Sequence, residues 1–217
     1  MDFDPIRVLV VDDHPMLRRG VMDLLALEEQ VEAIGDACNG HQALAMSKEL
    51  EPDLILLDLN MPGMNGIETI KALRSADIDS RILLFTVSDD QLDVIEAFRA
   101  GADGYLLKDL EPEALIDNIL KSSQGKTAIS PELVDTLATA IKSRGDSHSV
   151  ESDLHGLTDR EREVLSHIAH GLSNKMIARK LEIAEGTVKV HVKRVLKKLG
   201  MRSRVEAAVW LTRLDEE

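Results

Sequence analysis

Three carboxylates stand where apolar runs stop. Asp12 and Asp13 follow Ile6–Val11, and Asp58 follows Leu54–Leu57. Short continuous apolar runs, such as Leu54–Leu57 and Ile82–Phe85, suit strands buried on both faces of a parallel sheet. In open parallel sheets, ligands sit beyond the carboxyl ends of the strands, where strand order reverses. With the order 2-1-3-4-5, strands one and three are neighbours, so the three acids converge on one crevice. Like charges gathered there need a cation, and oxygen ligands with room for water favour Mg²⁺. Thr86 ends a fourth run with a hydroxyl, and Lys108 ends a fifth with an ammonium. A carboxylate nucleophile, Mg²⁺, a hydroxyl and a lysine are the parts that phosphoryl transfer onto an aspartate requires.

A second group of residues suits a different partner. Read at 100° per residue, the segment 185–199 turns Val188, Val192, Val195 and Leu199 to one side. Lys189, Lys193 and Lys197 line another face, and Val190 lies among them, nearly opposite the core stripe. A valine among lysines makes sense on a face that enters a DNA major groove, where it meets a thymine methyl while lysine reaches guanine. Lys189, Val190 and Lys193 are therefore the expected base readers. Lys175, Thr187, Lys197 and Lys198 are the expected phosphate contacts.

The elements that position these groups follow from periodicity. Residues 1–122 alternate five apolar runs (Ile6–Val11, Val31–Ala37, Leu54–Leu57, Ile82–Phe85 and Tyr105–Leu107) with amphipathic stretches. Five strand–helix repeats predict an α/β fold: a five-stranded parallel sheet with helices on both faces. Pro15 opens the first helix, with Met16, Leu17, Gly20, Val21, Leu24 and Leu25 predicted inward. Leu92, Ile95 and Phe98 are the predicted inward stripe of the fourth. Asn60, Pro62, Gly63 and Gly66 turn the chain away from Asp58. Residues 123–155 read as an interdomain helix, starting at Ser130-Pro131-Glu132 with Leu133, Leu137 and Ile141 inward, followed by a polar linker, "SRGDSHSVESD". Residues 156–217 show only helical patterns. "TDRE" and "SRVE" both fit the capping box, and short helix, turn, longer helix is the helix-turn-helix pattern.

Composition agrees with two parts. Of the net charge of −13, residues 156–217 contribute +4 and residues 1–155 contribute −17. A basic patch on an acidic chain points to two partners of different charge. Cys38 is the single cysteine, which excludes an internal disulfide and suits the cytoplasm. No apolar run reaches the ~18 residues of a membrane span, and no secretory leader is expected.

Residues 1–122 resemble a flavodoxin-like response-regulator receiver domain, through "VDDHP", "LLDLNMPGMNG", "FTVSD" and "GADGYLLKD". The resemblance implies phosphorylation of Asp58 by a sensor histidine kinase. It implies Mg²⁺ held by Asp12, Asp13, Asp58 and the backbone carbonyl of Asn60. Thr86 and Tyr105 become a switch pair, and Lys108 a phosphoryl contact. Asp109 follows the lysine where many receivers carry proline. Residues 156–217 resemble the all-α LuxR-type helix-turn-helix domain, through "LTDREREVLSHIAHGLSNKMIARKLEIAEGTVKVHVKRVLKKL". Ala184 departs from the serine or threonine frequent near the recognition-helix start. The pairing is that of the NarL/FixJ family, and "NKMIARKLEIAEGTVKVHVK" with "RSRVEAAVW" looks especially like its nitrate/nitrite regulators. The family implies a homodimer on double-stranded DNA. Val205, Ala208, Val209 and Thr212 are the candidate contact between protomers.

The expected mechanism is masking. An acidic receiver covers the basic helix, and phosphorylation releases it. Two other readings compete. One is an Mg²⁺-dependent phosphohydrolase with an aspartyl-phosphate intermediate, for which Asn60 stands where a second acid is commonly needed. The other is a DNA-binding regulator whose receiver is silent. On this reading the chain is a regulator and not an enzyme. His14 reads as structural.

Overall fold

The computed structural model describes residues 5–123, 128–130, 156–172, 174–201, 204, 207, 210 and 211. Strands β1 (Ile6–Val11), β2 (Val31–Ala37), β3 (Leu54–Leu57), β4 (Arg81–Thr86) and β5 (Gly104–Leu107) alternate with helices α1 (Pro15–Leu25), α2 (Gly40–Leu50), α3 (Gly66–Ser75), α4 (Gln91–Ala100) and α5 (Pro112–Ser123). All pairings are parallel, and the order opens 2-1-3-4-5, which sets β1 beside β3. The pleat sends Leu9, Val11, Ile55, Leu57, Ile82, Leu84 and Tyr105 into one core and Val8, Val10, Leu54, Leu56, Leu83 and Phe85 into the other. Two-sided burial is why these runs carry no polar alternation.

Among the described residues the sheet has six strands, not five. β6 (Ala128–Ile129) pairs parallel with β5, in the stretch expected to belong to an interdomain helix and linker. Ser130 secures it: its N–H donates to Tyr105 O at 3.0 Å, and its Oγ accepts from Leu107 N–H at 3.0 Å. The backbones lie so close that a Cβ on Gly104 would stand 2.3 Å from Ala128 O. Two residues in a polar stretch give no periodicity, so only tertiary pairing reveals this strand.

Two helix faces differ from expectation. On α4, Val94, Ala97 and Phe98 are buried while Leu92 is 69% exposed. On α1, Val21 and Leu25 are buried, but Met16 and Gly20 face solvent. α4 carries apolar residues around most of its circumference, so spacing alone does not choose its face.

The C-terminal unit contains α6 (Asp159–Ala169), α7 (Asn174–Leu181) and α8 (Glu185–Lys198). Thr158 and Glu161 form the expected capping box at the start of α6. Val188, Val192 and Val195 of α8 pack on Val164, Leu165, Ile168 and Ile177. Ala184 caps α8 with no side-chain bond, as an alanine must. The helix predicted from Pro131, the linker 143–153, and Ser203 and Glu206 of the "SRVE" box lie outside the described residues.

Candidate functional site

The acidic crevice is assembled by backbone pairing. Asp58 N–H donates to Val11 O at 2.8 Å, and Asp12 N–H donates to Ala37 O at 3.1 Å, so both acids leave the sheet at one level. Lys108 arrives from β5 and bridges them, with Nζ 2.7 Å from Asp12 Oδ2 and 3.0 Å from Asp58 Oδ2. Leu59 N–H donates to Asp58 Oδ1 at 2.8 Å. Behind this turn, α3 begins against the strand exit. A Cβ on Gly66 would stand 2.5 Å from Asp58 O, so any side chain there pushes on Asp58.

The crevice is short of positive charge. Asp12, Asp13, His14 and Asp58 each offer a ligand atom within 4.8 Å of the others. Asp13 Oδ1 is buried and accepts no hydrogen bond, although His14 Nδ1 stands 2.8 Å away. A buried carboxylate oxygen that accepts no hydrogen bond carries a desolvation cost. A hard divalent cation offsets that cost and suits this oxygen-rich donor set, so the residues fit a metal. Burial raises the pKa of Asp58, opposed by the hydrogen bond and charge of Lys108.

Thr86 and Tyr105 meet at one residue, Ser88. Thr86 Oγ1 accepts from Ser88 N–H at 3.3 Å, and the Tyr105 hydroxyl donates to Ser88 O at 2.9 Å. Both side chains are buried. Burial pushes the Tyr105 pKa up to about 12, so the phenol remains a donor at neutral pH. Ser88 lies within "FTVSD", where no role fell to it, yet it links the two residues.

The basic helix lies against the receiver. Lys193 Nζ stands 2.7 Å from Asp77 Oδ1, and Lys189 Nζ stands 3.7 Å from Asp79 Oδ2. The hydrogen bond from Lys193 to Asp77 raises the lysine's pKa. Beside them Arg81, 8% exposed, donates to Gly171 O at 2.9 Å. Asp103 balances the cluster, accepting from Arg74 at 2.7 Å and lying 3.6 Å from Arg81. Burial lowers the Arg204 pKa, with the Arg81 guanidinium adding to the effect, and Arg204 Nε is buried without a partner. Asp77, Asp79, Arg81 and Gly171 escaped sequence reasoning. Asp77, Asp79 and Gly171 sit in ordinary turns and loops and Arg81 opens β4, so only the charge contrast between the halves hinted at them.

The remaining candidates separate. Val190 stays 47% exposed, and Thr187 and Lys197 face solvent. Lys198 turns inward, 2.6 Å from the buried Glu161 and 3.0 Å from Gly156 O. That hydrogen bond holds the Glu161 pKa at about 2. Lys175 lies on α7, and nothing is described of its side chain. Val205, Ala208, Val209 and Thr212 lie outside the described residues. Asn60 is exposed at the turn after Asp58. Among the described residues no helix is long and apolar enough to cross a membrane.

Comparison with known proteins fits this two-part geometry. Residues 8–120 match the response regulator receiver domain, and residues 155–211 match the bacterial regulatory proteins of the luxR family. The chain belongs to the two-component response regulators that join a receiver to a LuxR-type DNA-binding domain. It is 50% identical over 208 residues to the nitrate/nitrite response regulator protein NarL of Escherichia coli (strain K12), covering 96% of this chain and 95% of that one. It is 44% identical to NarP of the same strain, covering 94% of each. Among solved structures, the response regulator ChrA of a heme-sensing two-component system aligns over 97% of this chain and 98% of its own, with 32% identity and a TM-score of 0.52.

Proposed function

We propose that Asp58 is the phosphoacceptor of a sensor histidine kinase, and that phosphorylation frees α8 to bind DNA and regulate transcription. The observation that carries this reading is the docking of α8. The two lysines best placed to read bases, Lys189 and Lys193, face the receiver acids Asp79 and Asp77.

The chemistry follows from the crevice. An Asp58 carboxylate oxygen attacks the phosphorus of a phosphohistidine. A P–O bond forms, the P–N bond breaks, and the electron pair leaves with the imidazole. Asp12, Asp13, Asp58 and the backbone carbonyl of Asn60 would hold Mg²⁺, which neutralises phosphoryl charge when bound. Lys108, already between Asp12 and Asp58, follows the new charge onto a phosphoryl oxygen. Thr86 turns its hydroxyl to another and gives up the Ser88 N–H. Tyr105 holds the carbonyl of the same residue, so the change passes to β5. Asn60 offers no second acid, which favours a regulator over a phosphohydrolase.

On DNA, Lys189, Val190 and Lys193 read bases, while Lys175, Thr187 and Lys197 take phosphates; Lys198 already spends its charge on Glu161. Two protomers would meet through Val205, Ala208, Val209 and Thr212. Likeness to NarL and NarP over nearly the whole chain supports control of nitrate/nitrite-responsive genes in the cytoplasm, with residues 1–122 as receiver, 123–155 as connector and 156–217 as DNA-binding domain. The test is fluorescence anisotropy on DNA, with and without beryllofluoride plus Mg²⁺, for the wild type and Asp58→Asn. A gain of tenfold or more (about 1.4 kcal/mol), absent in the variant, is expected. Equal affinity in every arm would sink the masking mechanism.

A further inference from the structure

The crevice holds one group that phosphoryl transfer does not use, the imidazole of His14. We propose that His14 is a direct metal ligand, so that the crevice takes late first-row divalent ions more tightly than its carboxylates alone would. This rests on the reading of the crevice as a metal site. Three observations carry it. His14 Nδ1 lies 2.8 Å from Asp13 Oδ1 and 3.4 Å from Asp12 Oδ1. Neighbouring ligands on an octahedral ion with bonds of about 2.1 Å stand about 3.0 Å apart, so the imidazole nitrogen lies about one coordination edge from each acid oxygen. Asp13 Oδ1 accepts no hydrogen bond in spite of that proximity, which leaves its lone pairs for a cation.

The backbone of the turn is confined, while the His14 side chain itself is 69% exposed. His14 precedes Pro15, which confines it to extended backbone, φ −85 and ψ 106. It occupies the cap position of α1 yet makes no side-chain capping bond. Its N–H donates to Asp12 Oδ1 at 2.7 Å, which folds the turn over the crevice. Lys108 takes the opposite oxygens, Asp12 Oδ2 and Asp58 Oδ2.

Imidazole nitrogen adds little to Mg²⁺, which prefers oxygen and water, and adds more along the series from Mn²⁺ to Cu²⁺. The ions therefore separate the ligand from its carboxylate neighbours. The experiment is calorimetric titration of the full chain at pH 8 with Co²⁺ and with Mg²⁺, for the wild type and His14→Ala, with the visible absorption of bound Co²⁺ as second readout. The expected result is a loss of about tenfold in Co²⁺ affinity, a changed cobalt spectrum, and Mg²⁺ affinity within about twofold of wild type. Equal changes for both ions, or an unchanged cobalt spectrum, would overturn the role of His14 and leave the acidic site standing. Failure of the wild type to bind either ion would overturn both.

Discussion

The two ends of β4 work under different physics. At its carboxyl end, Thr86 borders a crevice where Asp58 is 3% exposed and a single ammonium lies within 3.0 Å of two carboxylates. At its amino end, about 17 Å away along the strand, Arg81 borders a seam whose outer pair, Lys193 and Asp77, is 72% and 70% exposed. Charges in a dry crevice keep their strength and geometry, whereas exposed pairs are screened and worth little each. On the proposed function, the crevice is ready for chemistry before any phosphoryl group arrives, and the seam's exposed rim is weak enough to be let go. A switch needs this pairing, since an effect at the firm end can only be read out at an end that yields.

The largest way to break the contrast is at the crevice. Lys108→Ala leaves Asp12 and Asp58 facing each other without their cation. Phosphorylation of Asp58 by a small phosphodonor, followed by intact mass, should slow by about 10²- to 10³-fold. Mg²⁺ should also raise the unfolding temperature of the variant more than that of the wild type. Labelling at the wild-type rate would mean the ammonium has no part in the reaction. Next comes the seam's buried contact. Arg81→Met removes a charge-assisted hydrogen bond to Gly171 O, while Arg74 still satisfies Asp103. DNA affinity of the unphosphorylated protein should rise about tenfold, and no rise would mean that this contact does not hold the domains together.

Asp77→Asn with Asp79→Asn sharpens the same comparison at its wet rim. The gain in DNA affinity should be only about threefold at low salt. It should vanish near 1 M salt, where the screening length is about 3 Å. A gain independent of salt would show that the acids act through something other than charge. The smallest effect concerns the effector core. The folded-state pKa of Glu161 is held at about 2, below its ordinary 4.5, chiefly by Lys198. A depressed carboxylate stabilises the fold above its unfolded pKa and loses that contribution as pH falls. Unfolding followed by Trp210, which packs on that core, should therefore sense Glu161 between about pH 4.5 and pH 2. Glu161→Gln should flatten that window; an unchanged acid profile would assign the sensitivity to other groups.

Much of the firm end was legible in the sequence. Residues buried on both sheet faces have to be apolar, so the runs at 6–11 and 54–57 declared themselves, and polar residues at their exits stood out. Asp12, Asp58, Thr86 and Lys108 were visible for that reason. The wet end was not. Asp77 and Asp79 look like any loop acids, because a weak, reversible contact asks little of composition. The α4 face was misjudged for a related cause: with Leu92, Val94, Ile95, Ala97 and Phe98 all apolar, the choice falls to packing partners on neighbouring elements. The approach of His14 Nδ1 to 2.8 Å from Asp13 Oδ1 could not be read from the sequence, because neighbours in the chain need not have neighbouring side chains.

The short strand β6 bears on how this protein can be divided. A receiver cut at residue 122 would lose Ala128–Ser130 and uncover the hydrogen-bonding edge of β5, including the Leu107 N–H that Ser130 accepts from. An open edge of that kind invites pairing with a second copy. Excision after residue 130 would keep the edge sealed, and fusions that swap effector domains should be joined beyond it.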